Sequence, residues 1–295
     1  MNKQFTPVRG ATARNIRTGV TLSVGILMSL SLIGCTSAPE PVATTDAGPK
    51  ATGLLAEIQD RGYITVGTTG DNRPTIFKEG DKLVGLDADW ADIIAKELNV
   101  DVRWEIVQFS ALVPGLEAGK FDIAMSGINV TDARKEVINF STPYAQDAVV
   151  AVFPKGGTIS VDDTPEEALK GRSVCVVAGS ANGDAPATAL GTFSDIQRYT
   201  GGIAVIMQAL KDGRCDMAMT TRIAVDTYIK TEGSDLARTK AAINSIPIGV
   251  GIPKQDSEDL VAAIDAAMTA AKKSGDCQKL AVKWVGTEFP AEVCS

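Results

Sequence analysis

The sharpest local chemistry in the chain lies at Thr131-Asp132-Ala133-Arg134. A threonine ahead of a helical pattern is an N-cap, which places Arg134 in the first turn, where the positive end of the helix dipole disfavours a guanidinium. Something anionic must offset it. Either Asp132 does so and Arg134 is an ordinary surface residue, or the guanidinium fork and the free backbone N–H groups meet a ligand carboxylate. A second arginine, Arg222, follows Thr221 and either is solvated or reads further negative charge. The 295 residues include no histidine, so a Ser-His-Asp triad, a histidine-ligated zinc and a histidine general base are excluded. Asp87, Asp89 and Asp92 have the spacing of metal ligands, but read better as the cap and solvated face of a helix. No metal and no cofactor is expected. Gly156-Gly157 and Gly201-Gly202 lack the strand-GxGxxG-helix context of a phosphate cradle, and Met125, Met207, Met217 and Met219 fall on expected core faces.

The 36 acidic against 29 basic side chains give a net charge of -7, which argues against a nucleic-acid surface. The charge is uneven. Residues 1–34 hold Lys3, Arg9, Arg14 and Arg17 and no acid, then an apolar run from Val20 to Ile33 that ends in Gly34-Cys35. The run is shorter than the roughly 20 residues of a membrane span, so it reads as a signal peptide. Leu32-Ile33-Gly34-Cys35 resembles a bacterial lipobox, in which cleavage precedes the cysteine and the Cys35 thiol takes a diacylglycerol; an ordinary secretory peptide with a chance cysteine is the alternative. Residues 35–52, rich in Thr, Ser, Pro, Ala and Gly, read as a flexible tether. The exported chain is therefore expected outside the cytoplasm, lipid-anchored to the cell membrane. In that oxidising setting the other four cysteines allow three pairings. Two disulfides are favoured: Cys175 with Cys215, both expected on strands of one sheet, and Cys277 with Cys294, which bracket the last helix and the tail. Two buried free thiols are the alternative for the first pair.

The elements that must position these residues alternate between strand and helix patterns. Strand patterns cover Tyr63 to Gly67, Val100 to Ile106, Phe121 to Ser126, Ala148 to Phe153, Ser173 to Ala178, Asp216 to Thr220 and Ser245 to Ile252. Helix patterns cover Gly85 to Leu98 (capped by Asp87 or Asp89), Leu112 to Leu116 (capped by Ser110), Ile203 to Asp212, Ile223 to Lys230, Ser257 to Lys273 and Gln278 to Trp284. Thr164-Pro165-Glu166-Glu167 carries a cap, a first-turn proline and acids facing a helix N-terminus. Such alternation predicts an α/β fold of parallel sheets with ligands at the carboxyl ends of strands. The loops there are Thr68 to Thr75, Ser126 to Arg134, Gly179 to Asp184 and Thr220 to Arg222. Two belong to each half, so a site using all four lies between two lobes.

The segment FDIAMSGINVTDARKEVINFSTPY, Phe121 to Tyr144, resembles the signature of the family 3 solute-binding proteins of bacterial ABC importers, which carry polar amino acids. ITVGTTGDNRP, LVGLDADWADIIAKELNV, FSALVPGLEAGKFD, CVVAGS, ALKDGRCDMAMTT and IGVGIPK extend the likeness in order over nearly all of Leu54 to Trp284. The resemblance implies a type II periplasmic-binding-protein fold, two doubly wound lobes joined by two crossover strands near Ala148 to Ala151 and Ile246 to Gly249. Residues 53–148 and 248–295 would form lobe 1, and 149–247 lobe 2. It also implies a small carboxylate-bearing ligand, first of all an amino acid, an ABC permease as membrane partner, and a monomer. By matched position, Arg134 would grip the ligand carboxylate, with donors from Asn129 and Ser180. Gly127 would offer a carbonyl to the ammonium and Phe109 a wall, and Asn182 a polar group from the second lobe. Ser126 and Ala181 belong to the same two loops. Three positions depart from the pattern. Asn72 and Thr75 stand where relatives carry aromatic rings, and Thr221 stands where they commonly place the aspartate that pairs with the ammonium. Either neutral acceptors hold the ammonium or the ligand lacks one.

GTTGD, Gly67 to Asp71, and FDIAMSG also resemble the periplasmic cyclohexadienyl dehydratases, which share the fold and act on prephenate or arogenate. Asn182 falls where those enzymes have a general acid, and an amide cannot serve as one; Asp184 lies two residues on. A ligand-sensing lobe of a signalling system is a third reading, and a binding protein with no enzymatic activity is the one preferred.

Overall fold

The computed structural model describes residues 53–232 and 235–295; the expected signal peptide, Cys35 and tether lie outside the described residues. Among the described residues, two large sheets and a small hairpin sheet carry the strands. The first has the order Asp101–Ile106, Tyr63–Thr68, Ile123–Ala124, Gly251–Pro253, Ile138–Phe140. Its first three strands are parallel, while Gly251–Pro253 returns antiparallel to both neighbours. The second has the order Asp195–Tyr199, Ser173–Val177, Met217–Thr221, Ala145–Pro154, Leu236–Arg238, again parallel at one side and antiparallel along Ala145–Pro154. Mixed rather than purely parallel sheets result because the chain that crosses between lobes enters each sheet from the opposite direction.

The apolar spacing explains the layers. Helix Leu86–Leu98 turns Trp90, Ala91, Ile94 and Leu98 onto the first sheet, and helix Glu258–Lys273 adds Leu260, Ile264 and Met268 to the same core. Trp90 is wholly buried against Tyr144, ring centroids 5.7 Å apart; truncating such a ring to alanine costs about 3–5 kcal/mol. In the second lobe, Ile206, Met207 and Leu210 of helix Ile203–Lys211 pack on Val150, Val152 and Ala218. The Thr164 capping box is present in full, with Pro165 at the first helical position.

Several expected boundaries move. The run Ser245 to Ile252 is not one strand: Ser245–Ile248 pairs with Ala145–Pro154, and Gly251–Pro253 enters the first sheet. Helix Leu86–Leu98 is entered through Gly85, φ 134, with no side-chain cap, because a Cβ there would meet the Thr75 carbonyl oxygen at 2.4 Å. Ser110 sits inside a tight turn, Phe109–Ala111, that runs into helix Leu112–Glu117 without a side-chain cap. The hairpin strands Asp71–Asn72, Ile76–Glu79 and Lys82–Val84 were not expected, nor were helix Asp184–Leu190 and strand Asp195–Tyr199.

Both favoured disulfides are present, Cys175–Cys215 and Cys277–Cys294. Cys215 lies just ahead of strand Met217–Thr221 rather than on it. With sequence separations of 40 and 17, the loop-closure model assigns them about 4 and about 3 kcal/mol. Among the described residues, no helix is long and apolar enough to cross a membrane.

Candidate functional site

Ser126 to Val130 follows strand Ile123–Ala124 and forms the first lobe's contribution. Gly127, φ +63, donates its N–H to Asp87 Oδ2 at 2.8 Å, and the Tyr144 hydroxyl donates to Asp87 Oδ1 at 2.6 Å. Asp87 is 0% exposed, and burial pushes its carboxyl up to about 7 although the Tyr144 and Gly127 bonds pull it down. The expectation of Asp87, Asp89 and Asp92 as a cap with a solvated face holds for the exposed Asp92 and is corrected for the other two: Asp87 is a buried anchor of the Gly127 loop, and Asp89 accepts from Lys283 Nζ and Trp284 Nε1. A Cβ at Gly127 would come 3.2 Å from Thr75 and 3.3 Å from the Asn72 amide, so the hairpin lies directly over this glycine.

Thr131 caps helix Asp132–Lys135 by accepting the Arg134 N–H at 3.3 Å. The Arg134 guanidinium donates to the Asn129 carbonyl at 3.0 Å in its own loop and to the Gly179 carbonyl at 3.1 Å in the second sheet's loop. The Phe109 ring lies 5.5 Å from it. Asp132 pairs with Lys135, and Arg134 is in none of the ion pairs among the described residues. Burial lowers its pKa to about 10. A desolvated guanidinium facing only neutral carbonyls is a ready receptor for a carboxylate.

Between the lobes a cavity of about 60 Å³ is lined by Thr69, Asn72, Ser126, Gly127, Asp147 and Thr221, among others. One water needs roughly 10–15 Å³ by the same measure, so the space suits a small solute. The lobes touch around it: a Cβ on Gly202 would fall 2.3 Å from the Asp71 carbonyl oxygen, and one on Gly179 would be 3.5 Å from Ser110.

Residues 64–287 match the family model of the bacterial extracellular solute-binding proteins, family 3. The chain belongs to that family. This solute-binding protein is 30% identical over 239 residues to the L-cystine-binding protein TcyJ of Escherichia coli (strain K12), covering 80% of the chain and 87% of TcyJ. It is 29% identical to the probable amino-acid-binding protein YxeM of Bacillus subtilis (strain 168), covering 79% and 88%. Among solved structures, the P235GK mutant of ArgBP from T. maritima aligns with TM-score 0.72 and 30% identity over 79% of the chain and 99% of that protein. The ancestral amino acid-binding protein AncCDT-1, a precursor of cyclohexadienyl dehydratase, aligns with TM-score 0.69 and 29% identity over 78% and 99%. The two sheets are thus the lobes of a type II periplasmic-binding-protein fold. These relatives are binding proteins, so the dehydratase reading is set aside.

Of the residues singled out in the solute-binding protein, Asn72, Phe109, Ser126, Gly127, Ser180, Asn182 and Thr221 line the cavity, as does Thr75. Arg134 and Ala181 instead line an adjoining groove at the cleft mouth. Asn129 is 0% exposed, gives its carbonyl to Arg134, and has no partner for its side-chain amide. Arg222 donates to the Lys240 carbonyl at 3.4 Å and faces a groove behind the cleft, not the cavity, so the case for a second anion on the ligand loses its support. The sequence reading missed Asp71 and Asp147, the two acids in the lining. Asp71 lay inside a loop already selected; Asp147 sits on a crossover strand, where no local pattern marks it.

Proposed function

We propose that the chain is the extracytoplasmic substrate-binding component of an ABC importer, anchored to the cell membrane by a diacylglycerol on Cys35. As a monomer it would close its cleft on a small carboxylate-bearing solute, an amino acid, and present it to a permease. The relatives support this, being named for cystine and other amino acids. One observation carries the ligand class: Arg134 holds a partly buried charge at the cleft mouth with only carbonyl oxygens for partners. A solute carboxylate would take the fork, with Asn129 and Ser180 beside it, while Gly127, Asn182 and Thr221 meet the rest of the molecule. Residues 53–148 and 248–295 are proposed as one closing lobe and 149–247 as the other. Ligand contacts from both sides favour the shut state, which is population shift.

Calorimetric titration of residues 36–295 with the twenty L-amino acids, L-cystine and simple dicarboxylates tests it. One amino acid binding with a single site supports the proposal; a response only to dicarboxylates, or to nothing, overturns it.

A further inference from the structure

The family's usual partner for a ligand ammonium is missing at Thr221, yet the cavity is not without charge. Asp147 belongs to the crossover strand Ala145–Pro154, pairs with Ile246 in the ladder between the two crossings, is 7% exposed and lines the cavity beside Thr220 and Thr221. Its Oδ1 accepts from the Ala148 N–H at 2.7 Å and the Ile223 N–H at 3.3 Å, and the Thr221 hydroxyl is a further hydrogen-bond partner. None of the ion pairs among the described residues includes it. The cavity lining holds no Lys or Arg, and Asn182, also in that lining, has a buried side-chain oxygen with no partner. A buried carboxylate facing a polar cavity whose lining supplies no cation calls for one.

We propose that Asp147 is the counter-ion of the solute's ammonium group, supplying from the crossover strand the negative charge that Thr221 lacks and restricting the site to solutes with a protonated amine. The assignment rests on the amino-acid reading of the cleft. The charge has moved from the start of one helix to the strand beside it, and it keeps contact with that helix through Ile223. Because Asp147 lies on the strand that crosses between the sheets, the ammonium would bind at the connection between the lobes.

The charges around Asp147 are Arg222 on the adjoining helix, Arg238 on strand Leu236–Arg238, Asp71 across the cavity, and Glu288 and Glu292 in the groove behind. Burial is the largest influence and raises the Asp147 carboxyl to about 6, while Thr221, the two N–H groups and Arg222 pull it down. A cationic solute requires the ionised form, so binding expels the proton wherever the free protein carries it. Affinity then falls about tenfold per pH unit below about 6 and is flat above it until the solute's own amine titrates.

A purely structural Asp147 would act as the acceptor for Ala148 and Ile223, a role that asparagine also fills. The test compares wild type, D147N and D147N/T221D by calorimetry at pH 8 with the twenty L-amino acids and L-cystine, each beside its deaminated carboxylic acid. The expected wild-type preference for the amino form is on the order of 100-fold or more. In D147N it collapses to within about tenfold with circular dichroism unchanged, and the double variant restores it. The wild-type loss of affinity between pH 6 and pH 5 disappears in D147N. Should no amino acid titrate, the reading of the cleft falls and this assignment with it. Should amino acids titrate while D147N keeps both the amino-form preference and the pH dependence, the assignment alone is overturned. A D147N that misfolds leaves D147E and the double variant to decide: recovery of the preference only where a carboxylate is present supports the assignment, and recovery nowhere despite native folding overturns it.

Discussion

Arg134 holds its place through the Thr131 cap, whose side-chain hydroxyl accepts the Arg134 N–H, and its guanidinium lies between the Asn129 and Gly179 carbonyls. Arg134→Ala leaves that cap intact and removes only the fork, so the expected outcome is a folded protein whose affinity for its amino acid drops by more than 100-fold, about 3–5 kcal/mol when a buried partner charge is orphaned. Calorimetry with circular dichroism on the same sample checks it, and near wild-type affinity would sink the carboxylate role. Much of this corner was legible in the sequence, because a cap, a helix start and an arginine are local facts within four residues. Asp87 and Asp147 were not. Each looks like an ordinary solvated acid among its neighbours, and each becomes buried only through partners distant in sequence: Tyr144 and Gly127 for the first, Ile223 and Ile246 for the second.

At the scale of elements, the hairpin Asp71–Val84 and helix Ile203–Lys211 meet across the cleft at one glycine. Gly202 is the N-cap of that helix, which has no side-chain cap of its own, and the Asp71 backbone and carboxylate lie where a Cβ would project. Gly202 has φ -83, so an alanine fits the backbone and the obstacle is the opposite lobe alone. Gly202→Ala is therefore expected to fold normally, hold the cleft ajar and weaken solute binding, with small-angle scattering of the loaded protein showing a larger radius of gyration than wild type. Unchanged affinity and unchanged scattering would show that the hairpin yields instead. Strand and helix alternation was readable because apolar periodicity is a local signal. The hairpin was not, since Asp71 and Asn72 carry no strand alternation and form a ladder only by pairing with Phe77 and Ile76. The continuous apolar look of Ser245 to Ile252 concealed a change of sheet at Gly249, where the chain leaves the second lobe for the first.

For the whole molecule, two buried carboxyls set an unusual pH response. Asp87 and Asp147 are raised by burial to about 7 and about 6, above the ordinary carboxyl range near 4. The native protein thus binds protons that the unfolded chain has released. Stability from these groups is fully present below about pH 4 and is lost as pH rises through about 6 and about 7. The expected melting temperature of the solute-free protein rises on acidification from pH 8 to pH 5. It falls again at lower pH as Asp216, whose pKa is lowered by its Ser173 backbone and side-chain bonds, takes up its proton. Asp87→Asn should flatten the slope between pH 8 and pH 6.5, and a melting curve that still climbs there would show that other groups carry it. The proposed membrane attachment is tested separately, at Cys35. Cys35→Ser is expected to shift the protein from the membrane fraction to the soluble or precursor pool with solute affinity unchanged, and a membrane-bound variant would refute the lipid anchor.

The Arg134 bond to the Gly179 carbonyl is a direct link between the lobes that needs no third molecule to make it. On the proposed clamp mechanism, such a latch favours the shut shape whether or not the cleft is filled. For a permease that reads the shut shape, each empty copy is idle traffic, occupying the gate and carrying nothing. On the proposed reading, a solute carboxylate and the Gly179 carbonyl draw on one guanidinium fork, so the strength of that single bond bears on how many journeys are wasted when solute is scarce.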